Sequence, residues 1–232
     1  MITNENTKNI KYKIVEIFTS IDGEGARTGL PCTFIRIHTC NLHCSYCDSR
    51  YACEGEDYKE MYLDEIVEVV ENNRIPAVTI TGGEPLLHDN VYHLIETLAK
   101  RSYCINIETN GSIDLSRLDY LRYRLGDFGN IMITMDWKCE SSGMSSYMKE
   151  SNFQYLNKYD VLKFVVGNHE DLTQMKHILS SYLILAQIFV SPVFGEIEPK
   201  EIVEYLLAHE LYDVKTQVQL HKILWPADMR GV

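Results

Sequence analysis

No apolar run in this 232-residue chain approaches the roughly 18 to 20 residues that cross a bilayer. Its start, residues 1–9, is polar and lacks the apolar core of a secretory signal. Together these absences predict a cytoplasmic protein with no membrane partner. Basic residues are also few: 22 Lys and Arg stand against 33 Asp and Glu, a net charge of -11. Gripping a phosphate backbone requires Lys and Arg clustered on one face, so a small-molecule ligand is expected and a nucleic acid is not. Repeats, low-complexity tracts and Pro/Gly/Ser-rich linkers are missing too, so nothing marks a second domain. With 45% apolar residues the whole of 1–232 can bury one large core.

What is present is an alternation of strand and helix patterns. Residues 32–38, 77–81, 104–108, 131–135, 161–166 and 188–191 are short β-branched-rich apolar runs, as expected for strands buried on both faces, and 214–220 is a weaker seventh. Between them, Leu63, Ile66, Val67 and Val70 share a helical face, as do Val91, Leu94, Ile95 and Leu98. Leu172, Met175, Ile178 and Leu179 predict a third helix. Ile202, Val203, Leu206 and Leu207 predict a fourth, with Pro199 in its first turn. Strand, helix, strand at this pitch implies parallel pairing through right-handed crossovers. Six or seven units are too few to close an eight-unit barrel, so the expected fold is α/β, an open partial (β/α)6-type barrel in one domain. Its ligands should lie at the carboxyl ends of the strands.

The seven cysteines are odd in number and come without a secretory signal, which argues against a disulfide framework. Cys32, Cys53, Cys104 and Cys139 are scattered and read as buried or incidental thiols. Cys40, Cys44 and Cys47 stand together as Cys-x3-Cys-x2-Cys directly after a strand. Three close thiolates can hold three irons of a 4Fe-4S cubane and leave the fourth iron open for reaction. The alternative is zinc, but a closed tetrahedral site needs a fourth ligand, and only His43 within the loop is at hand.

That spacing is the signature of the radical S-adenosylmethionine (SAM) superfamily, which the chain resembles throughout its length. Thr81-Gly82-Gly83-Glu84-Pro85 is similar to the superfamily's GGE segment, where glycines let the backbone approach the methionine end of SAM. Finer segments resemble the 7-carboxy-7-deazaguanine synthase family. These are Ser20-Ile21-Asp22-Gly23-Glu24-Gly25, then Gly29, Pro31 and Arg36, then Cys47-Asp48-Ser49, Glu108-Thr109-Asn110-Gly111, and Gln219 with His221 and Lys222 in a pocket-closing tail.

The resemblance implies conversion of 6-carboxy-5,6,7,8-tetrahydropterin to 7-carboxy-7-deazaguanine with loss of ammonia. It also implies a 4Fe-4S cluster reduced by flavodoxin or ferredoxin, SAM, Mg2+ and a homodimer. It carries substrate contacts onto Ile21, Asp22, Gly23, Glu24, Arg36, Thr81 and His221, and magnesium ligation onto Ser49. SAM contacts fall on Tyr46, Cys47, Asp48, Gly83, Asp136, Trp137, Lys138, Ser191, Pro192, Val193 and Phe194. Arg36 suits a substrate carboxylate because a planar guanidinium makes two parallel bonds to it; the plain alternative is a surface ion pair. Glu24 and Thr81 are otherwise a turn cap and a strand end, and His221 a structural histidine. Asp22 stands where the family commonly has Gln, Ser49 where it has Thr, and Trp137 where it has a small residue or proline. Two other readings are an activase drawing hydrogen from a partner protein's glycine, and a colourless zinc-binding interaction module.

Overall fold

A computed structural model of the chain describes residues 10–126 and 130–232; the polar start, 1–9, lies outside the described residues. Among the described residues nine strands form one sheet: β1 (Lys11–Ile21), β2 (Pro31–Ile37), β3 (Lys59–Tyr62), β4 (Ala77–Gly82), β5 (Cys104–Thr109), β6 (Ile131–Lys138), β7 (Val161–Val166), β8 (Gln187–Pro192) and β9 (Val214–Thr216). Their order is β3-β1-β2-β4-β5-β6-β7-β8-β9. From β2 to β9 every neighbouring pair is parallel, and the sheet does not close on itself. The crossovers carry α1 (Leu63–Asn73), α2 (Val91–Ala99), α3 (Ser116–Leu125), α4 (His169–Ser181) and α5 (Pro199–Ala208), and a short α6 (His221–Leu224) follows β9.

The open partial barrel expected from the sequence is therefore present, with an antiparallel extension that the sequence reading lacks. β1 pairs antiparallel with both β2 and β3. Its alternation of apolar and polar residues is interrupted by a register shift between Ile14 and Glu16, and such a bulge moves side chains to the other face, masking the period of two. α3 was missed because its run is polar and turns only Leu118, Leu121 and Arg122 inward. β9 stops at Thr216 rather than at residue 220. In α5, Ile202 and Leu206 are buried, whereas Val203 and Leu207 face outward.

The core is continuous along the outer face of the parallel strands, where Ile35, Ile80, Ile107, Ile133 and Phe164 are fully buried beside Leu94, Ile66 and Leu172. Because side chains alternate along a strand, the intervening residues point to the barrel interior. That leaves the carboxyl ends of β4 to β8 to build a site around a hollow.

Candidate active site

The hollow is a cavity of about 490 Å³ at those strand ends. Thr81, Gly82 and Gly83 reach it from β4, Glu108, Thr109 and Asn110 from β5, Asp136 and Lys138 from β6, Lys163 and Val165 from β7, and Pro192 and Val193 from β8. The loop after β1 contributes Ile21, Gly23 and Glu24, and the far end of the chain contributes His221 and residues 227–232.

Cys40, Cys44 and Cys47 all line this cavity. Their loop lies against the end of β4 with no room to spare. A Cβ on Gly82 would meet the Ile37 carbonyl oxygen at 2.0 Å, and one on Gly83 would meet the Thr39 carbonyl oxygen at 2.2 Å. Glycines here are thus required by the seating of the cysteine loop itself. Glu84 finishes the joint: wholly buried, it accepts from Leu86 N at 3.0 Å, Thr109 Oγ1 at 2.8 Å and Asn110 N at 2.6 Å, stapling the ends of β4 and β5 together. Burial pushes its carboxyl up to about 7, with those donors opposing. Asn110 Nδ2 and Leu42 N both point at Cys40 Sγ, at 3.7 and 3.4 Å.

The thiols of Cys40 and Cys47 are drawn down to about 6, first by hydrogen bonding from Cys53, against the effect of burial. Burial raises Cys44, and the nearby Lys138 ammonium works the other way. Among the described residues no three His, Cys, Asp or Glu side chains converge closely enough to hold one metal ion. Convergence is what closed zinc coordination needs. A cubane instead takes one thiolate per iron, so three soft donors from one loop on the rim of a roomy cavity fit a 4Fe-4S cluster.

Opposite the cysteines lies a chain of charges. Lys163 Nζ is 2.9 Å from Glu24 Oε2 and 2.9 Å from Asp136 Oδ1, and Asp136 Oδ2 accepts from Lys138 Nζ at 2.7 Å. Burial works against charge on all four groups, but the mutual pairing wins, so Glu24 and Asp136 are lowered and Lys138 and Lys163 raised. Glu108 is pushed up by burial, opposed by Lys163 and a hydrogen bond with Thr81. Arg36 gives its Nε to Glu16 Oε1 at 2.7 Å and packs by the rings of Phe18 and Tyr51. His221 lies so close to Gly23 that a Cβ there would be 2.1 Å from its Nδ1, and burial lowers its pKa below 6.5. Ser49 Oγ donates to Asp48 Oδ1 at 2.9 Å, while Asp48 Oδ2 takes Lys222 Nζ at 3.0 Å. Tyr46 and Phe194 also border the cavity.

Three residues expected at the ligands are turned elsewhere. Asp22 is 1% exposed and does not line the cavity; its carboxylate accepts from Arg27 Nε at 2.7 Å, Thr79 Oγ1 at 2.7 Å and Cys32 Sγ at 3.3 Å, which locks the loop after β1 from beneath. Trp137 sits between Asp136 and Lys138 on one strand, so its side chain must take the opposite face, where it packs against Phe153 and Phe164. Ser191 is buried behind Glu24, its Oγ accepting from Gln217 Nε2 at 3.0 Å. Conversely, Lys163, Asn110 and Cys53 reach the cavity without having been singled out as site residues. Lys163 carried a legible signal: a lone cation inside the apolar run 161–166 is rarely buried without a partner.

Residues 34–132 match the Radical SAM superfamily. The 7-carboxy-7-deazaguanine synthase of Clostridium acetobutylicum is 41% identical, with 96% of this chain and all of that protein covered. The synthases so named from Methanospirillum hungatei and Chlorobaculum tepidum are 38% and 36% identical over 91% and 94% of this chain, and 85% and 96% of theirs. The crystal structure of QueE from Escherichia coli superposes with a TM-score of 0.74 at 21% identity, covering 94% of this chain and 98% of that one, which establishes the shared fold. With a partial barrel, a three-cysteine loop at its strand ends and relatives of this identity along nearly the whole length, the chain belongs to the 7-carboxy-7-deazaguanine synthase family of radical SAM enzymes.

Proposed function

We propose that this chain converts 6-carboxy-5,6,7,8-tetrahydropterin to 7-carboxy-7-deazaguanine and ammonia. The observation that carries the reading is that one cavity is lined both by Cys40, Cys44 and Cys47 and by Glu24, Arg36, Thr81 and His221. Substrate atoms equal those of product plus ammonia, so the reaction needs no net oxidant. When bound, the cluster and SAM supply reductive cleavage of SAM and a carbon radical that removes and later returns a substrate hydrogen.

The residues of the chain bind and orient. Arg36, with Nε committed to Glu16, keeps its terminal nitrogens for the substrate carboxylate. Glu24, held ionised by Lys163, accepts from the N–H edge of the pterin, and Thr81 donates or accepts beside it. His221, disfavoured as a cation by burial, hydrogen-bonds the substrate as a neutral ring, and Ile21 and Gly23 shape the floor. Tyr46, Cys47, Asp48, Gly83, Asp136, Lys138, Pro192, Val193 and Phe194, which line the cavity, would hold SAM. Ser49 Oγ would hold Mg2+, an ion that keeps few protein ligands. The remaining parts of the reading are a flavodoxin or ferredoxin as electron donor, a homodimer and a cytoplasmic location. No described helix is long and apolar enough to cross a membrane.

The test is an anaerobic assay of the iron-loaded protein with SAM, dithionite, Mg2+ and the carboxytetrahydropterin. Equimolar deazapurine and ammonia are expected; SAM cleavage with an unchanged pterin would refute the substrate.

A further inference from the structure

Lys163 occupies the middle of β7 between Leu162 and Phe164, both fully buried, and its own side chain is 8% exposed. A buried ammonium persists only where partners repay its lost hydration. Its two partners come from different halves of the cavity. Glu24 belongs to the loop that follows β1, on the substrate side. Asp136 stands on β6 and is bonded in turn to Lys138, whose charge acts on Cys44 and Tyr46 of the cysteine loop. The Glu24 carboxylate also takes a hydrogen bond from Ser191 and a long contact, 3.4 Å, from Gln217 Nε2 to its second oxygen, and it lines the cavity where a ligand can reach it. Glu108 adds a third carboxylate whose charge acts on Lys163. Take Lys163 away, and Glu24 loses its ammonium, while Asp136 keeps Lys138 and Glu108 keeps the charge of Arg36 nearby.

We propose that Lys163 is a positioning residue that joins Glu24 and Asp136 in one ion-paired frame, fixing the aim and charge of the substrate acceptor relative to the SAM side of the cavity. This rests on the reading of Glu24 as the acceptor for the N–H edge of the pterin. Without Lys163, Glu24 and Asp136 repel, and the cheapest relief is rotation of Glu24 or uptake of a proton. Either removes the anionic acceptor while leaving the cysteine loop in place. The substrate is then held loosely, and SAM cleavage becomes uncoupled from product formation.

The experiment uses iron-loaded protein as wild type, Lys163→Met, Lys163→Arg, Glu24→Gln and the double variant Lys163→Met with Glu24→Gln. Measured are pterin and SAM affinity by anaerobic calorimetry, product formed per SAM cleaved, and iron content. For Lys163→Met the pterin Kd should rise roughly ten- to hundredfold, the value of a charged hydrogen bond, and product per SAM cleaved should fall, with iron retained. Lys163→Arg should keep most of the coupling because the charge remains. The double variant should bind the pterin no more weakly than Glu24→Gln alone, since the two residues act as one unit. It also removes both charges together, so it reads the coupling even where Lys163→Met folds poorly. Additive losses in the double variant, or a Lys163→Met protein with wild-type pterin affinity and coupling, would overturn the proposal. Failure of the wild type to bind the pterin overturns the substrate reading instead.

Discussion

The guanidinium of Arg36 is prepared before any ligand arrives: Glu16 holds Nε at 2.7 Å, Tyr51 OH reaches the same Glu16 oxygen at 3.1 Å, and the Phe18 and Tyr51 rings limit its swing. Arg36→Lys keeps a charge but loses the planar fork. It should lower kcat/KM roughly ten- to a hundredfold, about 1.5 to 3 kcal/mol, while slow uncoupled SAM cleavage continues. Unchanged kinetics in Arg36→Lys and Arg36→Met alike would remove Arg36 from the substrate site. Ser49 offers a freer hydroxyl than a Thr would, since it lacks the branching that restricts the rotamer. Ser49→Thr should reduce the Mg2+ needed for half-maximal turnover by an amount worth a few tenths to about 1 kcal/mol, and Ser49→Ala should raise it strongly with the cluster intact. Superimposed Mg2+ titrations of the three proteins would show that Ser49 is no ligand. At this scale spacing foretells that Cys40, Cys44 and Cys47 share one place, and all three line the cavity. It misled where three consecutive residues were assigned to one ligand, because strand alternation sends Trp137 away from Asp136 and Lys138. Asp22 could not be placed from type alone: Arg27, its main partner, is five residues away across a turn whose path no periodicity describes.

Between elements, the joint of β2, β4 and the cysteine loop decides where the cluster can sit. Thr39, directly before Cys40, has a φ of 87°, a conformation that a β-branched residue rarely adopts, and its carbonyl accepts from Glu84 N at 2.9 Å. That strained turn is held by the strand ends around it, and the close approach of Gly83 is part of the hold. Gly83→Ala should therefore shift the loop, lowering stability by about 1 to 3 kcal/mol as overpacking does and reducing iron bound per chain. Urea unfolding and iron analysis would check this, and a variant with wild-type iron and stability would show that the loop has slack. The parallel strands were readable because burial on both faces writes continuous apolar runs. β1 and α3 were not, the first because of its bulge and the second because its inward face includes Arg122, which is wholly buried and paired with Asp160 at 2.8 Å.

In a chain with a surplus of acid residues, the half-buried carboxylates of the cavity are balanced by Lys163 and Lys138, and this has a consequence for pH. Burial disfavours the charges of Glu24 and Asp136, but Lys163 and Lys138 bring both below their ordinary values of 4.5 and 3.8. Their contribution to stability is thus present above those values and lost as pH falls through the lower folded ones. Lys163 is raised well above 10.5, so its contribution is complete below that pH and is lost only as pH rises through the folded value. The network should lower Tm below about pH 4, whereas the raised Glu84 and Glu108 carboxyls stabilise less as pH rises above about 4.5. Glu24→Gln should flatten the acid limb, and an acid limb identical to the wild type would mean that the network contributes nothing to folding.

The loop of Cys40, Cys44 and Cys47 is proposed to hold an iron-sulfur cluster at the mouth of the partial barrel. Its most direct test is the iron and sulfide content and the 5'-deoxyadenosine yield of anaerobically prepared Cys→Ala variants at all seven cysteines. Loss of bound iron and of SAM cleavage is expected at Cys40, Cys44 and Cys47, with both retained at Cys32, Cys53, Cys104 and Cys139. A Cys44→Ala protein with full iron and undiminished 5'-deoxyadenosine would contradict it.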